Sequence, residues 1–161
     1  MRGSFRLALV LLLFVAGIKA SGQERQVQTI LFVCEHGSAK SVIAAAHFNR
    51  LAEQKGLPYH AVARGTNPDP EIPQQIRVNL AKDGANVPTS KPQLVTEKDV
   101  REAAQVVTFG CKLPFPEKTT AGKLVDWKDV SSPSEDYERA RSLIVDKIAE
   151  FVGTLKLKVM N

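Results

Sequence analysis

Apolar segments of two kinds alternate along most of the chain, separated by polar or glycine- and proline-rich turns. Short β-rich runs such as residues 30–33, Ile-Leu-Phe-Val, are typical of buried strands, and longer segments with apolar residues three or four apart are typical of helices. The pattern predicts strands over residues 27–33, 59–64, 105–109 and 124–127, and helices over 41–55, 73–83, 96–103 and from 133 onward. This order predicts an α/β domain with a small four-stranded parallel sheet and helices on both faces.

The last helix has a distinct start signal. Ser132-Pro133-Ser134-Glu135 matches a capping box with proline at the first helical position. Tyr137 and Ala140 then begin the apolar face of a long helix. We therefore expect helical structure to begin at Pro133.

The first twenty residues follow a different pattern. A basic start, with Arg2 and Arg6, precedes an apolar run over residues 7–15 and the small residue Ala20. This order is that of a secretory signal peptide, and the run is short for a membrane span, although an uncleaved anchor is the alternative. The protein is then expected to be exported, to a periplasm or outside the cell. The predicted segments are a signal peptide over 1–20, a flexible lead over 21–26 and one domain over 27–156.

Loss of that segment changes the charge of the chain. The 161 residues include 22 Lys and Arg against 17 Asp and Glu, a formal net charge of +5. Without Arg2, Arg6 and Lys19 the basic count falls to 19, so the predicted domain is only slightly basic. No long basic run or basic stripe with interleaved aromatics occurs in the sequence, which argues against a nucleic-acid partner. The two cysteines form no Cys-x-x-Cys pair, and we predict neither a metal site nor a cofactor.

The residues that follow the first strand carry the candidate chemistry. Cys34 ends the predicted strand and a helix begins at Ser41, so the connecting residues lie at the carboxyl edge of the sheet, where ligands bind in open α/β sheets. Such a loop presents backbone N–H groups and the positive end of a helix dipole to an anion, and Gly37 permits the tight turn. The thiolate form of Cys34 is favoured there and is arranged to attack a bound phosphate.

We predict catalytic roles for three side chains of this segment: Cys34 as nucleophile, Lys40 as the counter-charge to the anion, and Ser41 as a hydrogen-bond donor to the sulfur. A cysteine after a strand, or a Gly-Ser turn, is more often structural when it occurs alone. Their combination at this point of the topology favours a functional loop. The predicted anion-binding residues are Glu35, His36, Gly37, Ser38, Ala39 and Lys40.

For two side chains of the loop, the sequence leaves the role undecided. The carboxylate of Glu35 opposes anion binding unless it points outward. His36 can either assist catalysis or form hydrogen bonds that hold the loop, and the second is the expectation.

The segment from Val33-Cys34 to Lys40-Ser41 resembles the signature loop of low-molecular-weight protein tyrosine phosphatases and thioredoxin-linked arsenate reductases. The resemblance extends over about residues 28–152. It implies the phosphotyrosine phosphatase I-like fold, an oxyanion substrate such as phosphate or arsenate, and hydrolysis through a cysteinyl-phosphate intermediate. Weaker similarities are found in Ala-Arg-Gly-Thr at 63–66, Lys-Pro-Gln-Leu-Val-Thr at 91–96, Val-Val-Thr-Phe-Gly-Cys at 106–111 and Asp-Trp at 126–127.

Two departures from the family pattern concern phosphate binding and proton transfer. Lys40 stands where the family has arginine, and lysine binds phosphate as a point charge rather than bidentately. Ser132 stands where the family has an aspartate that acts as general acid before a proline, and serine cannot protonate a leaving alkoxide at neutral pH. Asp129, or alternatively Asp126, is predicted to take over that role if the loop is rearranged; otherwise both are solvated loop carboxylates.

A third departure concerns the cysteines. Arsenate reductases of this family relay a disulfide through three cysteines, and this chain has two. Cys111 is the redox candidate, because Gly110-Cys111 ends a predicted strand on the same sheet edge as Cys34. A one-step disulfide between them would require a thiol reductant as partner.

Three functions follow in order of preference. The first is an exported phosphatase-like enzyme that hydrolyses phosphate monoesters with Cys34 as nucleophile. The second is a non-catalytic oxyanion-binding module, because Lys40 and Ser132 replace two residues on which the chemistry relies. The third is an arsenate reductase-like redox enzyme that uses Cys34 and Cys111.

Overall fold

The computed structural model describes residues 26–160, with side chains to residue 155; the predicted signal peptide and residues 21–25 of the predicted lead lie outside this part. Every predicted element within it is found, and most ends agree within two residues. No helix in the described part is both long and apolar enough to cross a membrane. The strands are β1 (Gln28–Cys34), β2 (Tyr59–Gly65), β3 (Gln105–Thr108) and β4 (Leu124–Asp126). The helices are α1 (Lys40–Gln54), α2 (Gln74–Lys82), α3 (Glu97–Glu102) and α4 (Tyr137–Met160), with a 3₁₀ turn over Glu117–Thr120.

The four strands form one parallel sheet in the order β2-β1-β3-β4, which confirms the predicted fold class. The inner residues of β1, from Ile30 to Val33, have no exposed surface. Ile30 and Phe32 belong to the core formed with α1 and α4, whereas Leu31 and Val33 pack with Val100 of α3. Because successive side chains of a strand point to opposite faces, burial on both faces explains the uninterrupted apolar run of this strand.

An aromatic cluster joins the sheet to α1 and α4. The ring of Phe32 lies 6.0 Å from Phe48, 6.4 Å from Phe109 and 5.7 Å from Trp127. Trp127 in turn packs edge-on against Phe151 of α4, at 6.0 Å. Tilted and edge-on aromatic pairs each contribute about 0.5–1.5 kcal/mol beyond the area they bury. Trp127 directly follows β4, so this cluster fixes the point from which the next loop leaves the sheet.

The start of α4 differs from the prediction. The N–H groups of Glu135 and Asp136 both donate to the carbonyl of Ser132, at 3.1 and 3.3 Å, and the helix begins only at Tyr137. The Ser132 hydroxyl lies 2.8 Å from that of Ser134 and does not cap the helix. Instead the Asp136 carboxylate accepts from the N–H of Arg139, at 3.0 Å. The predicted capping box is therefore wrong: residues 132–136 form a turn, and Asp136 caps the helix.

A polar cluster joins α1 and α4 to the end of α2, through Asp83. The Tyr137 hydroxyl donates to Asp83 Oδ2 at 2.9 Å. His47 Nε2 and Arg141 Nε approach the same oxygen at 3.3 and 3.6 Å, but neither is aligned for a hydrogen bond. The His47 side chain is only 10% exposed. Burial lowers the pKa of His47, and the nearby Asp83 carboxylate offsets part of that effect.

This cluster predicts an acid-sensitive contribution to stability. As pH falls through the ordinary histidine range near 6.5, the unfolded chain takes up a proton at His47 before the folded chain does. The free energy of unfolding should therefore decrease from pH 7.5 to pH 5 by more in the wild type than in His47→Gln. Urea unfolding at several pH values measures this difference. The exposed His60 supplies the control, and His60→Gln should keep the wild-type dependence; parallel curves for wild type and His47→Gln would contradict the prediction.

Candidate active site

Cys34 is the last residue of β1, at the carboxyl edge of the sheet, and is 3% exposed. Its Sγ accepts a hydrogen bond from the N–H of Gly37 at 3.2 Å and lies 3.2 Å from the Oγ of Ser41, in the first turn of α1. The N–H of Gly37 and the hydroxyl of Ser41 therefore fix the position of the sulfur from two sides. The loop between Cys34 and α1 therefore curls back over the sulfur instead of leading away from it.

The curl depends on close packing between two glycines. Gly37 has a φ of +62°, a conformation that other residues rarely adopt. A Cβ at this position would lie 2.7 Å from the backbone nitrogen of Gly65, at the end of β2. Conversely, a Cβ at Gly65 would lie 2.8 Å from the nitrogen of Gly37. The two backbones can approach only because neither residue has a side chain.

The segment after β2 runs beside the Cys34 loop and continues the strand pairing. The N–H groups of Thr66, Asn67 and Asp69 donate to the carbonyls of residues 34, 35 and 36, at 3.1, 2.8 and 2.9 Å respectively. These bonds satisfy loop carbonyls that would otherwise lack partners, so the loop is held by backbone contacts on one side. They also place Asp69 beside His36.

The side chain of Asp69 contacts the loop at two points. Its Oδ2 accepts from the Ser38 hydroxyl at 2.5 Å, and its Oδ1 lies 3.2 Å from His36 Nδ1. Ser38 is 2% exposed. We did not predict a role for Asp69, which lies in the proline-rich connection after β2. The adjacency of the ends of β1 and β2 in a parallel sheet is the signal that could have identified it.

Lys40, predicted as the counter-charge to the anion, begins α1. Its Nζ donates to the carbonyl of Val130 at 3.1 Å. This bond ties the first turn of α1 to the loop that follows β4. Ser41, in contrast, is fully buried beneath Cys34, in the position that its predicted role requires.

The carboxylates predicted as general acids have other partners. Asp129 Oδ2 lies 2.8 Å from Lys147 Nζ of α4, and the hydrogen bond from this lysine lowers the pKa of Asp129. Asp126 Oδ1 accepts from the Thr108 hydroxyl at 2.9 Å and from the N–H of Gly110 at 2.8 Å. Neither aspartate lines the cavity around Cys34, whereas Ser132 does. The structure thus does not bring Asp129 to the site, because α4 holds it through Lys147.

Cys111 lines the same cavity as Cys34 but packs on the opposite face of the sheet. Both cysteines are free thiols. The Cys111 Sγ donates to the carbonyl of Val33 at 3.4 Å, and its side chain packs beside Leu113 and Phe115 at the α3 face. Burial raises the pKa of the Cys111 thiol, and the proximity of Cys34 adds to the effect. Cys111 is therefore held mainly as a thiol.

The Cys34 loop, Asp69 and Cys111 line a cavity of about 630 Å³. One wall is apolar and includes Ile76 of α2 and Phe109 after β3, and the loop residues Glu35 and His36, both exposed, form part of the rim. A second cavity of about 520 Å³ lies along β2, and no cysteine lines it. No three His, Cys, Asp or Glu side chains among the described residues converge as metal ligands would. The residues that line the first cavity include Cys34, Glu35, His36, Ser38, Ala39, Lys40, Asp69 and Cys111.

The glycine contact predicts a specific effect of adding one methyl group. Gly37→Ala should destabilise the fold by about 1–2 kcal/mol through the left-handed backbone and by a further ~1–3 kcal/mol through the clash with Gly65. It should also change the alkylation rate of Cys34 by iodoacetamide, followed by peptide mass spectrometry. Gly56→Ala is the matched control, since Gly56 has a φ of +58° with no atom within 4 Å of an added Cβ. Equal losses of unfolding free energy in the two variants would contradict this account.

Comparison with known proteins agrees with this arrangement. The model of the family described as low molecular weight phosphotyrosine protein phosphatase matches residues 29–112, more than half of the chain. The match begins in β1 and ends just beyond Cys111, so it includes the entire loop. No curated protein matches the chain significantly.

The chain is similar to solved structures of arsenate reductases and of a protein tyrosine phosphatase. A thioredoxin-dependent arsenate reductase of Corynebacterium glutamicum is 25% identical, with a TM-score of 0.70 over 83% of this chain; the chain spans 64% of the length of that protein. An arsenate reductase of Archaeoglobus fulgidus is also 25% identical, with a TM-score of 0.61 over 77% of this chain and 98% of its own. A low molecular weight protein tyrosine phosphatase of T. tengcongensis is 18% identical, with a TM-score of 0.68 over 79% of this chain and 99% of its own, which shows the shared fold.

Proposed function

Because the chain belongs to the low molecular weight phosphotyrosine protein phosphatase family, we propose that it hydrolyses phosphate monoesters with Cys34 as the nucleophile. The observation that carries this proposal is the pair of 3.2 Å contacts from Gly37 N–H and the Ser41 hydroxyl to the sulfur. They hold the sulfur in place in a cavity that the loop partly encloses.

The phosphoryl group would be held mainly by the backbone. The N-terminus of α1, which has no side-chain cap, lies beside the carboxyl edge of the sheet, and its N–H groups would bind the anion together with those of the loop. Such preorganised donors stabilise the charge that develops on the phosphoryl oxygens. Lys40 is the single lysine or arginine among the described residues that line the cavity, so it supplies the side-chain charge.

The reaction would proceed in two displacements. The Cys34 thiolate attacks phosphorus and the leaving alcohol departs, which gives a phosphocysteine. Water then attacks the phosphorus, phosphate is released, and the sulfur leaves as a thiolate. The Ser41 hydroxyl, 3.2 Å from Sγ, stabilises the negative charge on the sulfur in both halves.

Replacement of the nucleophile tests this function. An aryl phosphate such as p-nitrophenyl phosphate is the right substrate, since its leaving group needs little protonation. Cys34→Ser should lower its turnover by about a thousandfold or more, as expected when a nucleophile is removed. Cys111→Ser is the matched control and should retain most of the activity.

Two results would count against hydrolysis. Equal rates for wild type and Cys34→Ser would mean that the sulfur takes no part. Phosphate binding without turnover of the aryl ester would favour a non-catalytic oxyanion-binding module instead.

A second candidate function is arsenate reduction, which the position of Cys111 on the same cavity as Cys34 favours. The Cys34 thiolate would attack arsenate and displace hydroxide; Cys111 would then attack the Cys34 sulfur, release arsenite and leave a disulfide that an external thiol must reduce. The raised pKa of the Cys111 thiol slows the second attack, because the thiolate is the nucleophile. We therefore rank reduction below hydrolysis. Arsenite release that Cys111→Ser abolishes, together with intact aryl phosphatase activity, would show that both functions are present.

We also propose that the protein is exported, on the basis of the basic and apolar pattern of residues 1–20. Expression of the full chain in a bacterial host, followed by mass determination of the protein outside the cytoplasm, tests this. A mature N-terminus near Ser21 is the expected result. Full-length chain confined to the cytoplasm would contradict export, and full-length chain in the membrane would favour the uncleaved anchor.

A further inference from the structure

Hydrolysis of an alkyl or phenyl ester requires a proton on the leaving oxygen, and the position where the family pattern has its acid holds Ser132. Asp129 and Asp126, the nearby carboxylates of the loop after β4, have other partners and do not line the cavity. A proton donor must therefore come from another part of the cavity lining. The remaining candidates lie in the Cys34 loop and in the segment after β2.

We propose that His36 is the proton donor and acceptor of this site and that Asp69 is its positioning residue. This inference rests on the phosphatase function proposed above. The His36 side chain lines the cavity and is 56% exposed, so a substrate can reach it. Its Nδ1 lies 3.2 Å from Asp69 Oδ1, which leaves Nε2 as the ring nitrogen available to a leaving group. Histidine is the side chain best suited to exchange a proton near neutral pH.

The carboxylate of Asp69 is held so that it can orient the imidazole. Its other oxygen accepts from the nearly buried Ser38 hydroxyl at 2.5 Å, and its backbone N–H donates to the carbonyl of His36 at 2.9 Å. A carboxylate fixed behind an imidazole orients the ring and stabilises its protonated form. The backbone bonds already hold the loop in place. The half-exposed ring of His36 is therefore not needed to maintain the fold.

His36 then transfers one proton in each of the two displacements. In the first, the Cys34 thiolate attacks phosphorus, the bond from phosphorus to the leaving oxygen breaks, and the His36 imidazolium gives its Nε2 proton to that oxygen. In the second, neutral His36 accepts a proton from the attacking water as the sulfur–phosphorus bond breaks. Thiolate and imidazolium are both restored, and the net change is the conversion of ester and water to alcohol and phosphate.

Charged groups of both signs surround His36 in the cavity. Besides Asp69, the exposed carboxylate of Glu35 lies on the same cavity, and Lys40 opposes both. From α2, the uncharged side chains of Gln75 and Asn79 line the same cavity. The other titratable groups of the cavity are the thiols Cys34 and Cys111. Because the proposed proton donor is the imidazolium, activity should decline on the alkaline side once that proton is lost.

The experiment compares two esters that differ in leaving group, p-nitrophenyl phosphate and phenyl phosphate, over a range of pH. His36→Gln should lower kcat/KM for phenyl phosphate by about a hundredfold or more, the usual contribution of a general acid, and much less for p-nitrophenyl phosphate. It should also remove the alkaline decline. Asp69→Asn should also lower kcat/KM more for phenyl phosphate than for p-nitrophenyl phosphate, because the imidazole loses the carboxylate that orients it. His60→Gln, at an exposed histidine outside this cavity, should match the wild type.

The outcomes separate the two proposals. Because each variant is compared with itself on two substrates, a partly unfolded preparation lowers both rates equally and leaves their ratio unchanged. An unchanged ratio and an unchanged alkaline limb in His36→Gln, with Cys34-dependent turnover in the wild type, would overturn the role of His36 alone. No Cys34-dependent turnover of p-nitrophenyl phosphate would overturn the phosphatase function and this inference with it.

Discussion

The stacking of two backbones at the ends of neighbouring strands is the constraint on which the site depends. β1 and β2 are parallel and end side by side, at Cys34 and Gly65, so the segments that leave them must pass each other. Gly37 and Gly65 lie so close that a Cβ on either would be within 2.8 Å of the other's backbone. That approach lets the N–H groups of residues 66, 67 and 69 pair with the loop carbonyls. The course of the loop around Cys34 thus follows from backbone geometry at the ends of two strands.

The sequence was sufficient for the elements, the parallel sheet and the loop around Cys34. The reason is physical: a strand buried on both faces, such as Ile30 to Val33, requires a continuous apolar run, and an amphipathic helix requires a 3.6-residue period. The residues around Cys34 are also local to one another, since Gly37 and Ser41 lie three and seven positions away. Contacts of such short sequence separation leave a recognisable motif.

The parts that the sequence did not predict depend on contacts between distant segments. Asp129 is a plausible acid by its position, but Lys147 of α4 holds it away from the cavity. The start of α4 was misplaced because Ser132, an adequate cap by type, bonds to Ser134 while Asp136 caps the helix. Asp69 was not identified because 31 positions separate it from Ser38. Only the adjacency of strand ends brings such pairs together.

The departures from the family pattern are consistent with one another once these contacts are considered. Lys40 has three N–H donors, so its bond to the Val130 carbonyl leaves two for an anion while it holds the loop after β4 against α1. A guanidinium would bind phosphate more strongly than the Lys40 ammonium, and in the proposed mechanism the backbone donors of the loop supply the rest of the binding. Asp126 and Asp129 are engaged in the fold, and neither lines the cavity. The groups of the proposed proton transfer then come from the segments that follow β1 and β2. The contact between Gly37 and Gly65, with the three backbone hydrogen bonds beside it, sets the position of Cys34 relative to His36 and Asp69.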